Sequence, residues 1–365
     1  MGEQSERRQS FRVLVVNPGS TSTKMAVFDN EDEVVEQTIR HDADELVALG
    51  GFLDSQGLRQ KGIVGALEAA HVAPQSLDAV VGRGGLTKPI ASGTYEVNDA
   101  MVADLRSGEY GLHGCNLGGL IAQDLGRAWG IPAYVVDPVV VDELEPVARV
   151  TGVPGIEHRC SWHALNQKAI CRRYAAERGR TYGELNLVVA HMGGGITVGA
   201  HRHGRTVDVT NAIEGEGPMS PERSGAVPYL PLVRRVERGQ STFDELEGLP
   251  SRTGGIKAYL GTSDMREVEA RMVAGDEQAT LLFDACAYQI AKAIGAACAV
   301  LEGEVDAILL TGGLAYSERF CEAVAHRVRR LAPELAVYPG EDELLALAQG
   351  GLRVLRGEEE AKVYA

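Results

Sequence analysis

Two segments of the chain combine small residues with the polar side chains that bind phosphate. The first is NPGSTSTK, Asn17 to Lys24, which lies between two apolar runs and is typical of a strand–turn–strand junction. Its small residues would let backbone N–H groups approach an anion, and Lys24 would add positive charge. The G-x-x-x-x-G-K-[ST] spacing of a Walker A loop is absent. The segment therefore indicates either a phosphate loop of another kind or an ordinary Ser/Thr-rich hairpin.

Two further segments expose glycine backbone at the ends of apolar strands. HMGGGITV, His191 to Val198, contains Gly193, Gly194 and Gly195, which would allow close contact with a phosphate chain. LLTGGLAYS, Leu309 to Ser317, predicts a buried strand that ends at Gly312 and Gly313 before a helix, a place where nucleotides bind. Each pattern alone is equally typical of a glycine-rich turn.

Two arginines lie among glycines in positions that suit anion binding. Arg83 in VGRGGL ends a predicted buried strand, and Arg223 in SPERSGAVP lies in a loop rich in Gly and Pro. A guanidinium can bind a carboxylate or a phosphate with two parallel hydrogen bonds. The alternative for either residue is a surface salt bridge.

Histidines and carboxylates complete the candidate set. His113 lies in YGLHG, and His163 lies in CSWHALNQ, where a helix is predicted to begin. Asp137 ends a strand before a proline that fixes the turn. Residues 341–343 are all acidic, and they could cap the last helix or reach a metal ion through water. A single histidine is more often structural than catalytic. Strand-end carboxylates are enriched in active sites, but many only cap the chain.

The predicted elements repeat along the chain. Residues 12–40 and 185–210 follow one plan: an apolar strand, a turn of small residues, a strand, a tight turn and a third strand. Residues 42–71 are predicted to form a helix in two pieces, broken around Gly50, Gly51 and Gly57. Later helices are predicted at about 276–302, 316–331 and 341–355. The pattern predicts an α/β protein of two similar halves with mixed sheets and a cleft between them for ligands.

Composition excludes several classes of function. The 365 residues carry a formal net charge of −15, which disfavours nucleic acid as a partner. Residues 1–12 lack the apolar core of a signal peptide, and the apolar stretch 284–301 falls short of a membrane span. Six scattered cysteines without a C-x-x-C pair indicate reduced thiols. We therefore expect a soluble cytoplasmic protein of two domains with no membrane partner.

In order and spacing, the candidate residues resemble the acetokinase family. NPGSTSTK, VGRGGLTKPI, VVDPVVVDELEPVARVTG, WHALNQKA and AHMGGGITVGAH are most similar to the branch of that family whose members phosphorylate butyrate. The resemblance extends from about residue 12 to residue 356. It implies two ribonuclease-H-like domains of the actin-like ATPase type, which would be residues 1–160 and 161–343. The C-terminal helix, 344–365, would pack back on the first domain.

The resemblance also implies roles for the candidate residues. Two loops would bind the nucleotide phosphates. The first consists of Asn17, Ser20, Ser22 and Lys24, and the second of His191, Gly193, Gly194 and Gly195. The glycine pair Gly312 and Gly313 would lie beside the adenosine. The acid and the phosphoryl group would be held by Arg83, Arg223 and His163, with His113 in support. Mg²⁺ and its waters would be organised by Glu343, Asp137 and Asn17.

The implied activity is reversible phosphoryl transfer from ATP to a small carboxylic acid, with butyrate as the first candidate. Gly194 stands where acetate kinases carry Asn, which favours the butyrate branch, and Trp162 stands where Phe is commoner, which leaves the chain length open. Isobutyrate or another branched acid, propionate and acetate remain alternatives. A nucleotide-switched binding protein related to actin and chaperones is an alternative of another class. The resemblance further implies a homo-oligomer, a dimer or a multiple of dimers.

Overall fold

The computed structural model describes residues 10–365 and divides into two compact units. Unit 1 contains the chain up to Val141 together with Asp342–Ala365, and unit 2 is Asp142–Glu341. The polar segment 1–9 lies outside the described residues. The first division falls earlier than the predicted residue 160, because residues that follow Val141 bond within unit 2. The Glu145 N–H donates to Val207 O at 3.0 Å, and Glu143 pairs with Lys168 at 2.5 Å.

Strands and helices alternate through both units. The strands are β1 (Arg12–Pro18), β2 (Ser22–Asp29), β3 (Asp32–Arg40), β4 (Ala79–Arg83), β5 (Thr94–Glu96), β6 (Ala133–Val136), β7 (Asn186–Met192), β8 (Ile196–Arg202), β9 (Arg205–Val209), β10 (Ala307–Gly312), β11 (Glu334–Pro339) and β12 (Lys362–Val363). The helices are α1 (Ala43–Ala48), α2 (Gln56–Ala69), α3 (Asp99–Ser107), α4 (Asn116–Trp129), α5 (Pro146–Arg149), α6 (Ala164–Ala176), α7 (Tyr229–Glu237), α8 (Phe243–Gly248), α9 (Gly255–Leu260), α10 (Met265–Val273), α11 (Glu277–Val300), α12 (Glu318–Val328) and α13 (Glu343–Leu355).

Each unit is built on one mixed sheet. In unit 1 the strand order is β12-β5-β6-β4-β1-β2-β3, and in unit 2 it is β11-β10-β7-β8-β9. In unit 1, β1, β4 and β6 are parallel, while β2 and β3 extend the sheet antiparallel from β1. In unit 2, β7, β10 and β11 are parallel, and β8 and β9 extend the sheet antiparallel from β7. The predicted duplication and the α/β class are therefore confirmed.

Several local predictions from the sequence need correction. Gly57 lies inside α2, so the break between α1 and α2 falls at residues 49–55 and not at Gly57. A short 3-10 turn, Gly313–Tyr316, follows the glycine pair, and α12 begins only at Glu318, with the Ser317 hydroxyl accepting from the Phe320 N–H. The strands β5, β11 and β12 and the four helices α7–α10 were not among the predicted elements.

The long helix α11 forms the centre of the larger core of unit 2. Phe283, Cys286, Ile290 and Ile294 are among its fully buried residues. Among the described helices, α11 alone has the length and apolar composition that a membrane span needs, and half of its apolar window is buried in the protein. Core helices of soluble proteins have the same properties, so this observation is weak evidence for a membrane.

Candidate active site

Three neighbouring parallel strands of unit 1 end at the same edge of the sheet and bring three predicted residues together. Val16 pairs with Gly82, and Arg83 pairs with Val136. Asn17, Arg83 and Asp137 therefore stand side by side at the carboxyl ends of β1, β4 and β6. This edge is where open α/β sheets bind ligands.

Glu343, the first residue of α13, contacts two of these residues. Arg83 Nη1 forms an ion pair with Glu343 Oε1, and Asn17 Nδ2 donates to Glu343 Oε2 at 2.8 Å. The Arg83 and Glu343 side chains keep about a fifth of their surface exposed, 19% and 20%. The chain thus joins residues more than 300 positions apart into one polar cluster at the sheet edge.

The position of Arg83 depends on two glycines that face each other. If Gly82 carried a Cβ, that atom would lie only 2.1 Å from Gly118 O. A Cβ added at Gly118 would lie 2.2 Å from Arg83 O. Because the obstructing atoms are backbone atoms, neither residue has room for a side chain. Helix α4 therefore lies directly against β4, and this close packing fixes the strand end that carries Arg83.

Asp137 is buried, with 1% of its surface exposed, and it adopts the left-handed conformation with φ of 39°. Its Oδ1 accepts hydrogen bonds from Ser92 Oγ at 2.6 Å and from the Gly93 N–H at 2.8 Å. Left-handed backbone is unusual for a residue other than Gly, and such strain is often found at functional sites. Asp137 thus holds the segment that leads into β5, at the same sheet edge as Arg83.

The first predicted phosphate loop is a tight turn at the same edge. The Gly19 N–H donates to Ser22 O at 2.8 Å, and Lys24 pairs with Asn17 in the β1–β2 ladder. Ser20 and Lys24 are exposed, and Ser22 is half-buried. Their side chains are therefore accessible to a ligand.

The segment that carries His113 lies against this loop. A Cβ on Gly114 would lie 3.2 Å from Gly19 C, so the two backbones nearly touch. His113 Nδ1 accepts from the Cys115 N–H at 3.4 Å. Burial raises the pKa of Cys115 to about 11, so the neighbouring thiol stays neutral. The structure thus places the segment that carries His113 against the first loop.

In unit 2, Asn166 holds the corresponding sheet edge together. His191 pairs with Thr311 where β7 and β10 end. Asn166 Nδ2 donates to Glu341 O at 3.0 Å, and its Oδ1 accepts from His191 Nδ1 at 2.8 Å. A Cβ on Gly193 would lie 3.3 Å from both His191 Nε2 and Glu341 Oε1. The first glycine of the second loop is therefore enclosed by an imidazole and a carboxylate.

His163 precedes α6 and stacks on His191, with ring centroids 3.8 Å apart and an interplanar angle of 12°. Its Nδ1 lies 2.9 Å from Thr197 Oγ1. Two histidines from separate predicted segments are thus in direct contact. The stacking leaves the two rings parallel, with Nδ1 of each bound to a polar side chain.

A series of hydrogen bonds connects His163 to the buried His201. Gln167 Nε2 donates to Thr197 Oγ1 at 2.8 Å, and Gln167 Oε1 lies 2.9 Å from His201 Nε2. Burial, aided by the charge of Lys168, holds the pKa of His201 well below 6.5, so its ring is neutral and its proton lies on Nε2. These hydrogen bonds connect Nδ1 of His163, through Thr197 and Gln167, to the buried ring of His201.

Arg223 lies against the glycine loop with its guanidinium largely buried. A Cβ on Gly195 would lie 2.3 Å from Arg223 Nη1. Arg223 Nη1 donates to Ala212 O at 3.1 Å, and within residues 10–365 no acceptor bonds the buried Nε. Burial lowers the pKa of Arg223 from 12.5, yet a guanidinium stays charged near neutral pH. A buried cation with an unsatisfied donor is suited to an anionic ligand.

The remaining predicted residues of unit 2 surround the same loop. Gly312, with φ of 92°, packs directly on Met192, because a Cβ added at Gly312 would lie 2.4 Å from Met192 O. A Cβ added at Gly313 would meet no atom within 4 Å. A Cβ on Gly194 would lie 3.1 Å from Glu222 Oε2. Trp162 is buried, with 2% of its surface exposed, and its ring contacts the ring of His201 in an edge-to-face arrangement.

The predicted magnesium ligands fit a water-mediated role. Residues 10–365 contain no group of three or more His, Cys, Asp or Glu placed to hold a metal ion. Mg²⁺ keeps several waters and binds one or two protein oxygens together with substrate phosphates, so such a group is not required. Glu343 and Asn17 offer partly exposed oxygen ligands. Asp137 is less suited to direct contact, because Oδ1 already accepts two hydrogen bonds.

Sequence reasoning missed several residues that organise the site. Asn166 and Gln167 lie three and four positions after His163, a spacing that places them on the same side of a helix. That spacing in WHALNQ was a signal that could have found them. Thr197 and Glu222 lie inside HMGGGITV and SPERSGAVP, but the sequence does not single them out, because only the folded chain brings them to His163 and to Gly194.

Comparisons with known proteins identify the family and the fold of the chain. The model of the acetokinase family matches residues 155–336. Butyrate kinase 1 and butyrate kinase 2 of Clostridium acetobutylicum are each 50% identical to the chain over 354 residues, which is 97% of this chain and 99% of each relative. The crystal structure of Porphyromonas gingivalis acetate kinase shares the fold, with a TM-score of 0.78, 21% identity and coverage of 94% of this chain and 99% of its own. The chain belongs to the acetokinase family.

Proposed function

We propose that the chain is a butyrate kinase, which transfers the γ-phosphoryl group of ATP to the carboxylate of butyrate and catalyses the reverse reaction. The observation that carries the proposal is its 50% identity, over nearly the full length of both chains, to two butyrate kinases. The clustering of the predicted residues at the carboxyl ends of the parallel strands supports the proposal.

In unit 1, we assign the loop from Asn17 to Lys24 to the nucleotide phosphates and Arg83 to the acid or the phosphoryl group. The loop has three exposed polar side chains, Ser20, Thr21 and Lys24. Arg83 keeps a partly exposed guanidinium although it pairs with Glu343. His113 supports the loop from its place beside Gly19, and Asp137 positions the adjoining strand end.

In unit 2, we assign His191 and Gly193–Gly195 to the nucleotide phosphates and Gly312 with Gly313 to adenosine. The open space around Gly313 supports the second assignment. Arg223 would stabilise the phosphoryl group in flight, since its buried Nε can donate a hydrogen bond. His163, stacked on His191, would donate a hydrogen bond to the same group.

The reaction needs no general base. A small carboxylic acid has a pKa near that of Glu, about 4.3, so it is ionised at about pH 7. In direct transfer, a carboxylate oxygen forms a bond to the γ-phosphorus while the bond from phosphorus to the β-phosphate oxygen breaks, and the electron pair leaves with ADP. The protein has to hold two anions in line, a task for which cationic side chains such as Arg83 and Arg223 are suited.

The acetokinase family uses ATP and ADP, and we propose that Mg²⁺ accompanies the nucleotide. Glu343 and Asn17, with Asp137 behind them, would bind its waters. When bound, the ion would reduce the negative charge of the phosphate oxygens. Arg83, bonded to Glu343, would then link the acid-binding group to the metal-binding group. Chelation by EDTA should abolish activity, and activity without any divalent ion would contradict this assignment.

The recess beside Arg223 does not locate the alkyl chain of the acid. It is lined by Ile196, Ala212, Gly215, Glu216, Pro218, Arg223, Gly225 and Pro250, and it is too tight to admit a water molecule. The choice of butyrate therefore rests on the identity to the two butyrate kinases. Isobutyrate is the alternative substrate most worth comparing with butyrate.

We further propose a cytoplasmic homo-oligomer, a dimer or a multiple of dimers. Helix α7 supports self-association, because none of its residues is buried although Tyr229, Leu232, Val233 and Val236 form an apolar stripe along it. Val233→Asp should convert the oligomer to monomers in light scattering. A wild-type protein that is already monomeric would contradict the proposal.

All six cysteines are free thiols, which supports the proposal of a reducing compartment such as the cytoplasm.

Phosphorus NMR tests the proposed reaction. The protein, butyrate and MgATP are mixed, and the spectrum is followed for an acyl phosphate signal that grows together with ADP. We expect one acyl phosphate for each ADP formed, and reversal when ADP is added in excess. ADP and inorganic phosphate without acyl phosphate would instead favour a nucleotide-switched binding protein.

A further inference from the structure

Arg59 on α2 is a buried cation that bonds to the first phosphate loop. It has no exposed surface. Its Nη2 donates to Ser20 O at 2.8 Å, and its Nη1 donates to Ser22 O at 2.9 Å and to Thr23 Oγ1 at 3.1 Å. Its Nε donates to Ser55 Oγ at 3.0 Å. Three of these four hydrogen bonds end on the loop.

These bonds fix the direction of the loop's peptide groups. In a trans peptide the C=O and the following N–H point in opposite directions. Because Arg59 binds Ser20 O, the N–H of Thr21 points away from Arg59. The next carbonyl, Thr21 O, accepts from the His41 N–H at 3.0 Å, and Ser22 O also accepts from the Gly19 N–H. Protein donors thus engage three successive carbonyl oxygens of the loop.

The charge of Arg59 adds to this geometric effect. All four hydrogen bonds end on neutral oxygens, so the bonds do not cancel the positive charge. Burial lowers the pKa of Arg59 from 12.5, but the guanidinium stays protonated. A buried positive charge directly beneath a loop favours an anion on that loop, because screening by water is weak there.

We propose that Arg59 is a positioning residue for the phosphates of ATP: it holds the carbonyl oxygens of Ser20 and Ser22 inward and supplies positive charge beneath the loop. The inference rests on the proposed role of Asn17–Lys24 in phosphate binding. It adds a residue that does not touch the substrate and lies outside every motif of the candidate set.

A hollow next to Arg59 makes chemical rescue feasible. It has a volume of about 370 Å³, and its lining includes Ser20, Leu46, Val47, Phe52, Ser55 and Arg59. In Arg59→Ala, a free guanidinium ion could enter from this side and donate to the same oxygens. Methylammonium carries the same charge without the planar arrangement of donors, so it separates geometry from charge.

The experiment measures ATP affinity by calorimetry and the KM values for ATP and for butyrate in Arg59→Ala, Arg59→Lys and wild type. Loss of hydrogen bonds from a charged donor should weaken ATP binding by about 10- to 100-fold in Arg59→Ala, with a much smaller change in the KM for butyrate. Guanidinium should restore much of the loss and methylammonium little of it. Arg59→Lys should remain impaired, since one ammonium group cannot reach all four oxygens.

Gln60→Ala provides the matched control, because Gln60 lies on the same helix and bonds Asp124 instead of the loop. It should bind ATP like the wild type. If Arg59→Ala does not fold, Ser55→Ala removes one acceptor of Arg59 without touching the loop and should still raise the KM for ATP. Unchanged ATP binding in the folded variants overturns the inference even if the wild type makes acyl phosphate. Because calorimetry needs no turnover, a failure of the proposed reaction would be seen separately.

Discussion

Gly195→Ala should separate catalysis from stability, because the atoms that obstruct a Cβ there belong to a single flexible side chain. The new Cβ would lie 2.3 Å from Nη1 and 2.5 Å from Cζ of Arg223, whereas ordinary contact begins at 3.4 Å. The guanidinium must therefore retreat by about 1 Å, and a displacement of about 1 Å in a catalytic group can cost about 100-fold in rate. We expect a fall in kcat of that order.

The free energy of unfolding should change little in the same variant. The obstructing group is the end of an arginine side chain, and residue 195 is not among the glycines with positive φ. The assay is the initial rate of acyl phosphate formation, accompanied by a urea unfolding curve. Gly152→Ala is the control, because its Cβ would meet no atom within 4 Å and it lies in the same unit.

A normal kcat in folded Gly195→Ala would refute the reasoning, since Arg223 would then tolerate displacement from the glycine loop. A large loss of stability would refute it as well, because the clash would then involve more than the guanidinium. A normal rate in Gly152→Ala together with a low rate in Gly195→Ala is the predicted pattern.

Three other predictions follow from the site and its supports. Arg223→Ala should lower kcat by about 10²–10³, the range for loss of one transition-state donor, and unchanged turnover would remove Arg223 from the mechanism. Gly118→Ala should cost about 1–3 kcal/mol of stability, seen as a lower urea midpoint, because its Cβ would lie 2.2 Å from Arg83 O. Burial holds the pKa of His201 in the folded protein well below 6.5. Below about pH 6.5 the unfolded chain therefore binds a proton that the folded chain does not. The free energy of unfolding should then decrease by up to about 1.4 kcal/mol for each pH unit below about pH 6.5. His201→Gln should flatten this dependence in urea titrations, and an unchanged slope would contradict it.

The fold was predictable because its pattern is local and repeated. The apolar strands and small-residue turns of residues 12–40 and 185–210 appear in the structure as β1–β3 and β7–β9. The N-cap of α3 is also local, since the Asn98 side chain accepts from the Met101 N–H at 3.0 Å. In contrast, β5, β11 and β12 are short or lie at sheet edges, so their sequences carry little periodicity.

The candidate site was predictable in its residues but not in its contacts. The order of the motifs predicted Arg83, His163 and Glu343 as site residues. The sequence does not predict that Arg83 forms an ion pair with Glu343, which lies 260 positions later in the chain. Arg59 was missed for a related reason. Its helix shows no motif, and its importance follows from backbone oxygens that approach it only after folding.

The measurement that tests the central claim most directly is acyl phosphate formation across a series of acids. The purified protein is incubated with MgATP, hydroxylamine and each acid from acetate to valerate, including isobutyrate, and the hydroxamate is quantified. We predict strong product with butyrate or isobutyrate and little with acetate. A flat series accompanied by ATP hydrolysis would contradict the assignment as a carboxylate kinase.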